Sequence, residues 1–190
     1  NRAWQAVATP FVGYLADDAE LEPQWLDTAM ETMSSNDQIA VVTGPIISSI
    51  WPAGEMHRLY VAASGNPLSR ALAQLYDAIV LDGQLLAPGY LAESGAYSLG
   101  ASLPESRDVP GPIDIDLATT TSMLVRRRVL EEVGGFRVRY QFNHADGDLF
   151  IRLKQRGYRI VFDPRVVAHH HVRHGPSRSP YFVGRDSALF

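Results

Sequence analysis

Two carboxylates one residue apart, Asp146 and Asp148, open a segment running Ala145-Asp146-Gly147-Asp148-Leu149-Phe150-Ile151-Arg152-Leu153-Lys154-Gln155-Arg156-Gly157. A Gly134-Gly135-Phe136 turn precedes it, and a histidine run, His169-His170-His171, follows it. A second acidic pair, Asp17-Asp18, lies far upstream. Carboxylates and imidazoles in this mix can hold a hard divalent cation or take a proton from a hydroxyl. The competing reading is structural: acids in a first helical turn cap it and favour its positive end. For Asp17-Asp18 that alternative is a solvated acidic turn. Residues i and i+2 do not share a helix face, so Asp146 and Asp148 are not expected to act as a pair. Asp148 is the better candidate for a cap or an organiser of the site.

The elements around these residues alternate. Phe11 to Leu15 reads as a short buried strand with Asp17-Asp18 just past its end, where ligands collect in open α/β sheets. Pro23 suits the first turn of a helix whose Trp25, Leu26, Ala29, Met30 and Met33 share one face, stopped by Ser34-Ser35-Asn36-Asp37. Ile39 to Thr43 reads as a buried strand closed by Gly44-Pro45. Pro67 to Leu81 reads as a helix with Leu68, Leu72, Leu75, Tyr76 and Ile79 on its apolar side. The stretch 85–112 is rich in Gly, Pro and Ser and reads as a long variable loop with room for a short hairpin. Thr119 to Val125 is a candidate strand and Arg126 to Val133 a short helix ending at Gly134. Arg159 to Phe162 and Val166 to Ala168 are candidate strands on either side of Asp163-Pro164, and 172–190 is a polar tail with aromatics and arginines. Strands alternating with helices predict a layered α/β domain with a mostly parallel mixed sheet.

With 190 residues, 46% of them apolar, the chain suits one domain with a substantial core. A net charge of -4 gives no reason to expect nucleic acid. The absence of cysteine excludes disulfides, thiolate nucleophiles and zinc-thiolate sites. The sequence contains no apolar run long enough to span a bilayer and no signal peptide. It opens on Asn1 and runs almost at once into a strand, which suggests a fragment or a processed product.

With these segments placed, the order of motifs resembles the family 2 glycosyltransferases of GT-A fold. The matching pieces are Leu15-Ala16-Asp17-Asp18 through Trp25-Leu26, Val133-Gly134-Gly135-Phe136, Asp146-Gly147-Asp148-Leu149 with Arg152-Leu153, Gly157-Tyr158-Arg159-Ile160, Pro164 through His170, and Arg185-Asp186. The likeness covers most of the chain and is weakest between Ser48 and Pro110. It implies a GT-A-like domain over 1–190 that lacks the N-terminal nucleotide-binding strands, so that the chain is the C-terminal part of a catalytic domain. A sheet without its first strands exposes an edge, which implies self-association or pairing with the missing part.

The resemblance further implies an inverting glycosyltransferase that uses a nucleotide-diphosphate sugar donor and a hydroxyl acceptor, glycan or lipid-linked. It implies Mn2+ or Mg2+ held by Asp18, Asp17 and His170, and Asp146 as the base that deprotonates the acceptor. Asp148, Gly135, Arg173, Arg178 and Arg185 are its candidate substrate contacts, since arginine forks suit phosphate oxygens. For those arginines the competing reading is a solvated basic tail, for Gly135 a helix C-cap. His169 and His171 read as strand-end residues without a ligand role, His57 as a surface residue, and Trp51 as buried or stacked on sugar. Thr119-Thr120-Thr121 could offer hydroxyls to sugar, although strand threonines are usually structural. Ala16 and Ala145 stand where the family often carries acids. They support an alternative, a non-catalytic homologue that binds glycan or scaffolds a partner. A two-metal phosphoester hydrolase is disfavoured, because the histidines form one cluster. The expected setting is cytoplasmic, at the inner face of a membrane in a longer parent.

Overall fold

The computed structural model describes residues 3–48, 61–140 and 144–171. In chain order the strands are β1 (Phe11–Leu15), β2 (Ala19–Leu21), β3 (Ile39–Thr43), β4 (Ile46–Ser48), β5 (Tyr90–Leu91), β6 (Tyr97–Ser98), β7 (Ile113–Ile115), β8 (Ser122–Arg126), β9 (Arg159–Phe162) and β10 (Ala168–His170). The helices that position the site are α1 (Trp25–Ser34), α2 (Pro67–Val80), α3 (Arg127–Val133) and α4 (Ala145–Lys154).

The central sheet has the order β1-β8-β3-β9-β7. Its middle strand β3 is apolar at four of five positions and buried along its whole length, so it is covered on both faces. On one face α1 lays Trp25, Ala29 and Met33 against Ile39, Val42, Leu124 and Val161. On the other, α3 and α4 lay Val129, Leu130, Leu149, Phe150 and Leu153 against Val41, Met123, Val125, Ile160 and Phe162. Helices on both faces of a sheet give the layered α/β architecture the sequence implies.

The balance of the sheet differs from expectation. Only β3 and β9 pair in parallel, while β1 with β8, β8 with β3, and β7 with β9 run antiparallel. Parallel neighbours require a long crossover, usually helical. β7 and β8 are instead reached through the 85–121 region, whose short β5–β6 hairpin and 3-10 turns supply no crossover helix.

A smaller sheet, β2-β10-β4, lies beyond the carboxyl ends of β1 and β3. β10 starts two residues later than the sequence suggests, and therefore carries His169 and His170 inside the sheet. Its antiparallel register sets His170 opposite Ala19 and His169 opposite Glu20.

Two helical faces depart from the sequence reading. Leu26, expected on the apolar face of α1, is 55% exposed. The apolar side of α2 is wholly turned outward: Leu68, Leu72, Leu75, Tyr76 and Ile79 are all exposed, and Ala73 is the buried residue of the helix. Its N-cap follows the rules nonetheless, with Asn66 Oδ1 accepting from the Ser69 N–H at 3.0 Å and Pro67 at the first position.

Candidate functional site

The turn between β1 and β2 carries the upstream acids. Asp18 is half-buried, and its Oδ1 lies 3.0 Å from Nε2 of His170. Its carbonyl accepts from the His171 N–H at 2.8 Å, which fixes the turn against the end of β10. His169 and His171 pair instead with Glu22 at 3.2 Å and Glu20 at 3.3 Å. Asp17 is exposed and stands outside the Asp18–His170 pair. The expected trio of ligands therefore reduces to a pair, and no group of three or more candidate ligands converges among the described residues. The pair itself fits a divalent cation. Two donors bound at about 2.1 Å on adjacent octahedral corners stand about 3.0 Å apart, and such ions commonly take one or two protein ligands with substrate phosphates completing the shell.

Asp146 lies in the first turn of α4 and does not cap it. The N-cap position is His144, held at φ 61 with no side-chain cap bond. A left-handed histidine stores backbone strain, which tends to collect at functional sites. The ring of Tyr97, from the β5–β6 hairpin, meets the His144 ring edge-on with centroids 6.2 Å apart. Asp146 Oδ1 accepts from the Gly147 N–H at 2.9 Å, and the Thr120 backbone lies close enough to favour the charged carboxylate. Part of the residue reaches the surface, but its carboxyl is packed closely enough that loss of hydration pushes its pKa above the usual range. The backbone groups and the nearby His144 oppose that rise without cancelling it.

Thr120 connects this carboxylate to the acidic turn. Its neighbour Thr121 accepts, through its carbonyl, from the Ala16 N–H at 3.0 Å, one residue before Asp17. The two acidic centres thus meet across one short stretch, 119–121. Tyr14 and Phe136 make an edge contact at 5.3 Å on the same side of β1. Burial pushes the Tyr14 phenol up to about 12, so it stays protonated. Tyr14 Oη, Thr119 Oγ1 and Ser122 Oγ are buried without a hydrogen-bond partner, Tyr14 and Ser122 on opposite faces of the sheet. Unmet hydroxyls are costly to bury.

Asp148 has different surroundings. Its side chain is 7% exposed and accepts from Arg152 Nε at 2.7 Å, Arg137 Nη1 at 3.0 Å and Arg139 Nη2 at 3.3 Å. Arg152, itself buried, donates its other nitrogens to the carbonyls of Val133 and Gly135, both at 2.8 Å. Gly134 and Gly135 sit at φ 76 and 64, and a Cβ at Gly135 would lie 2.7 Å from Trp4 Nε1, so the turn requires glycine there. This corrects two expected substrate contacts. Gly135 is covered by Trp4 with its carbonyl occupied by Arg152, and Asp148 is enclosed by three guanidiniums. Both shape the turn and present no open surface to a substrate.

The structure brings together Asp18 with His170, and Asp146 with Thr120. Arg173, Arg178 and Arg185, with Trp51 and His57, lie outside the described residues. Sequence reasoning missed His144, the Thr120 backbone, Arg137 and Arg139. The arginines sit two residues apart in Phe136-Arg137-Val138-Arg139-Tyr140, beside the glycine turn already singled out, and that alternation was the available signal.

Over 98% of its length the chain superposes on a solved structure of GalNAc-T7 with UDP, GalNAc and Mn2+, with a TM-score of 0.62 at 16% identity, covering 32% of that chain. The fold is therefore mixed α/β and GT-A-like, that of a class of glycosyltransferases. In sequence, the chain is 28% identical over 156 residues to N-acetylglucosaminyl-diphospho-decaprenol L-rhamnosyltransferase from two strains of Mycobacterium tuberculosis. That alignment covers 76% of this chain and 50% of the relative, so the chain spans about half the length of the curated relatives it matches. No family model matches. Among the described residues no helix is long and apolar enough to cross a membrane.

Proposed function

We propose that this chain carries the metal and acceptor side of an inverting, family 2-like glycosyltransferase, with Asp146 as general base. The observation that carries this reading is the placement of Asp146. Its carboxyl is dehydrated, it lies one threonine segment away from the Asp18–His170 pair, and its raised pKa suits a group that must gain a proton near neutral pH. The rhamnosyltransferase relatives and the GT-A-like fold support the reaction class.

The reaction displaces a nucleotide diphosphate from the anomeric carbon of the donor sugar. The acceptor oxygen forms the new bond from the opposite face as the bond to the diphosphate oxygen breaks, and Asp146 takes the acceptor's proton. Asp18 and His170 are the residues that would hold Mn2+ or Mg2+, with Asp17 reserved for an outer role. When bound, such an ion neutralises charge on the departing diphosphate. The Gly147 N–H holds the Asp146 carboxylate from one side and the Thr120 backbone lies near it, so the proton is accepted at a fixed place. By analogy with the acceptor named for the curated relatives, the acceptor proposed here is a glycan hydroxyl next to a lipid-linked diphosphate.

Calorimetric titration of Mn2+ with a panel of nucleotide diphosphates tests the reading. Binding that falls on Asp18→Ala supports it. A folded chain that binds none of them, both on its own and in a longer form that includes upstream sequence, overturns it and favours the non-catalytic homologue to which Ala16 and Ala145 point.

A further inference from the structure

We infer that Arg137 and Arg139 form an anion subsite for the phosphate or diphosphate of the acceptor. This rests on the transferase reading above. The cluster is built on Asp148, whose Oδ1 accepts from both arginines while its Oδ2 accepts from Arg152. One carboxylate thus gathers three guanidiniums. Arg152 is 8% exposed and fully engaged with the carbonyls of Val133 and Gly135. Arg137 and Arg139 are different, with side chains 49% and 46% exposed, so the cluster reaches the surface through them. The nearby acids of α3 serve other partners: Glu131 pairs with Arg127, and Glu132 accepts from the Tyr158 hydroxyl.

Two like charges held on one carboxylate oxygen repel each other, and an anion seated across them relieves that repulsion. The planar guanidinium has five N–H donors in a fork that matches phosphate oxygens. The forks are also oriented in advance. Arg137 is fixed by Asp148, and Arg139 lies over the Tyr140 ring at 4.8 Å while donating to the Tyr140 hydroxyl at 2.7 Å. The partial positive charge at the start of α4 adds to the same field. Asp148 and Asp146 both belong to the first turn of α4, so the subsite and the proposed base are carried by one helix start.

The chemistry required is a phosphate or diphosphate, and three sources can present one: a prenyl-linked acceptor, a soluble sugar phosphate, or the donor. The test is calorimetric titration of the folded chain in EDTA with inorganic pyrophosphate and with geranyl diphosphate, and in Mn2+ with UDP. We expect both metal-free ligands to bind and to weaken at least tenfold in Arg137→Gln/Arg139→Gln. UDP with Mn2+ should keep its affinity in that variant and lose it in Asp18→Ala. Pyrophosphate binding with no geranyl diphosphate binding would overturn the acceptor assignment, as would an arginine variant that loses UDP instead. No metal-free binding, or binding indifferent to both arginines, would overturn the subsite itself. Should the Gln variant fail to fold, Arg137→Lys/Arg139→Lys keeps the charge on Asp148 but removes the forks. A several-fold loss is expected there, and no loss contradicts the proposal. Failure of the UDP arm alone would count against the transferase reading and leave the anion subsite standing.

Discussion

Asp18 stands half-open beside a single imidazole, whereas Asp146 and Asp148 stand at a helix start around which the fold has closed. The acidic turn links β1 of the central sheet to β2 of the three-stranded sheet, positioned by Ala16 and by the His171 N–H. The start of α4 is anchored from several directions, by Thr120, by Tyr97 against His144, and by the arginines on Asp148. Openness suits a place where an ion and a diphosphate enter and leave. Enclosure suits a carboxylate that must hold one orientation and an altered proton affinity. Within α4 the contrast sharpens further: Asp146 is dehydrated with backbone partners, and Asp148 two residues on is gripped by cations. The same residue type is a structural anchor in one place and, under the proposed function, the reacting group in the other.

The contrast breaks most sharply at Asp146. Asp146→Asn keeps shape and backbone bonds but cannot take a proton, so transfer to an acceptor should drop by about 10²- to 10⁴-fold, read by single-turnover assay. Arg152→Leu takes the buried guanidinium from Asp148, leaving it Arg137 and Arg139, and frees the Gly134-Gly135 turn. Removing the buried partner should cost up to about 3–5 kcal/mol of stability, read by urea unfolding. At the open turn, Asp18→Ala should weaken binding of a nucleotide diphosphate with Mn2+ by about tenfold or more, equivalent to about 1.4 kcal/mol, while exposed Asp17→Ala changes it little. Equal losses for the two acids would erase the distinction between them.

The pH dependence of stability separates two buried acids by sign. Folding raises the pKa of Asp146, chiefly through burial. Its contribution to stability therefore falls as pH climbs from the ordinary aspartate value to the raised one, and the full penalty stands above that. Asp146→Asn should gain stability relative to the native chain across that window. Asp163 behaves oppositely. Burial pushes its pKa up, but Arg165 and Thr32 bond its carboxylate and the net shift is downward. Its contribution is complete above the ordinary value and is lost as pH falls through the lowered one. Unfolding curves of Asp146→Asn and Asp163→Asn against pH should diverge from the native curve in these opposite senses. The smallest effect is expected at α2, where Leu72→Asp should change stability by within about 0.5 kcal/mol, because its side chain is already 60% exposed.

α2 also shows where the sequence was misleading. Leu68, Leu72, Leu75, Tyr76 and Ile79 keep helical spacing, which reveals a helix with an apolar side but not what that side meets. β1, β3 and β9 were legible, because short apolar runs bounded by Pro, Gly or Asp seldom fit another element. β2 and β4, at three residues each, are too short to show a period, and they exist through pairing with β10. In the site, Asp18, His170 and Asp146 were legible as residue types in order. Thr120 acts through its backbone, which carries no side-chain signature. Asp148 and Gly135 were expected at the substrate because their neighbours pointed there, and the enclosing Arg152 and Trp4 could be recognised only once the chain had folded.

The central claim is that the two acidic centres divide the work, one holding the diphosphate through an ion and the other accepting the acceptor's proton. The most direct measurement is to titrate Asp146→Asn with Mn2+ and the nucleotide diphosphate that the native protein binds from the panel, and to follow transfer by the same protein. The account predicts native affinity with transfer lost. Transfer near the native rate, or affinity lost together with transfer, would contradict it.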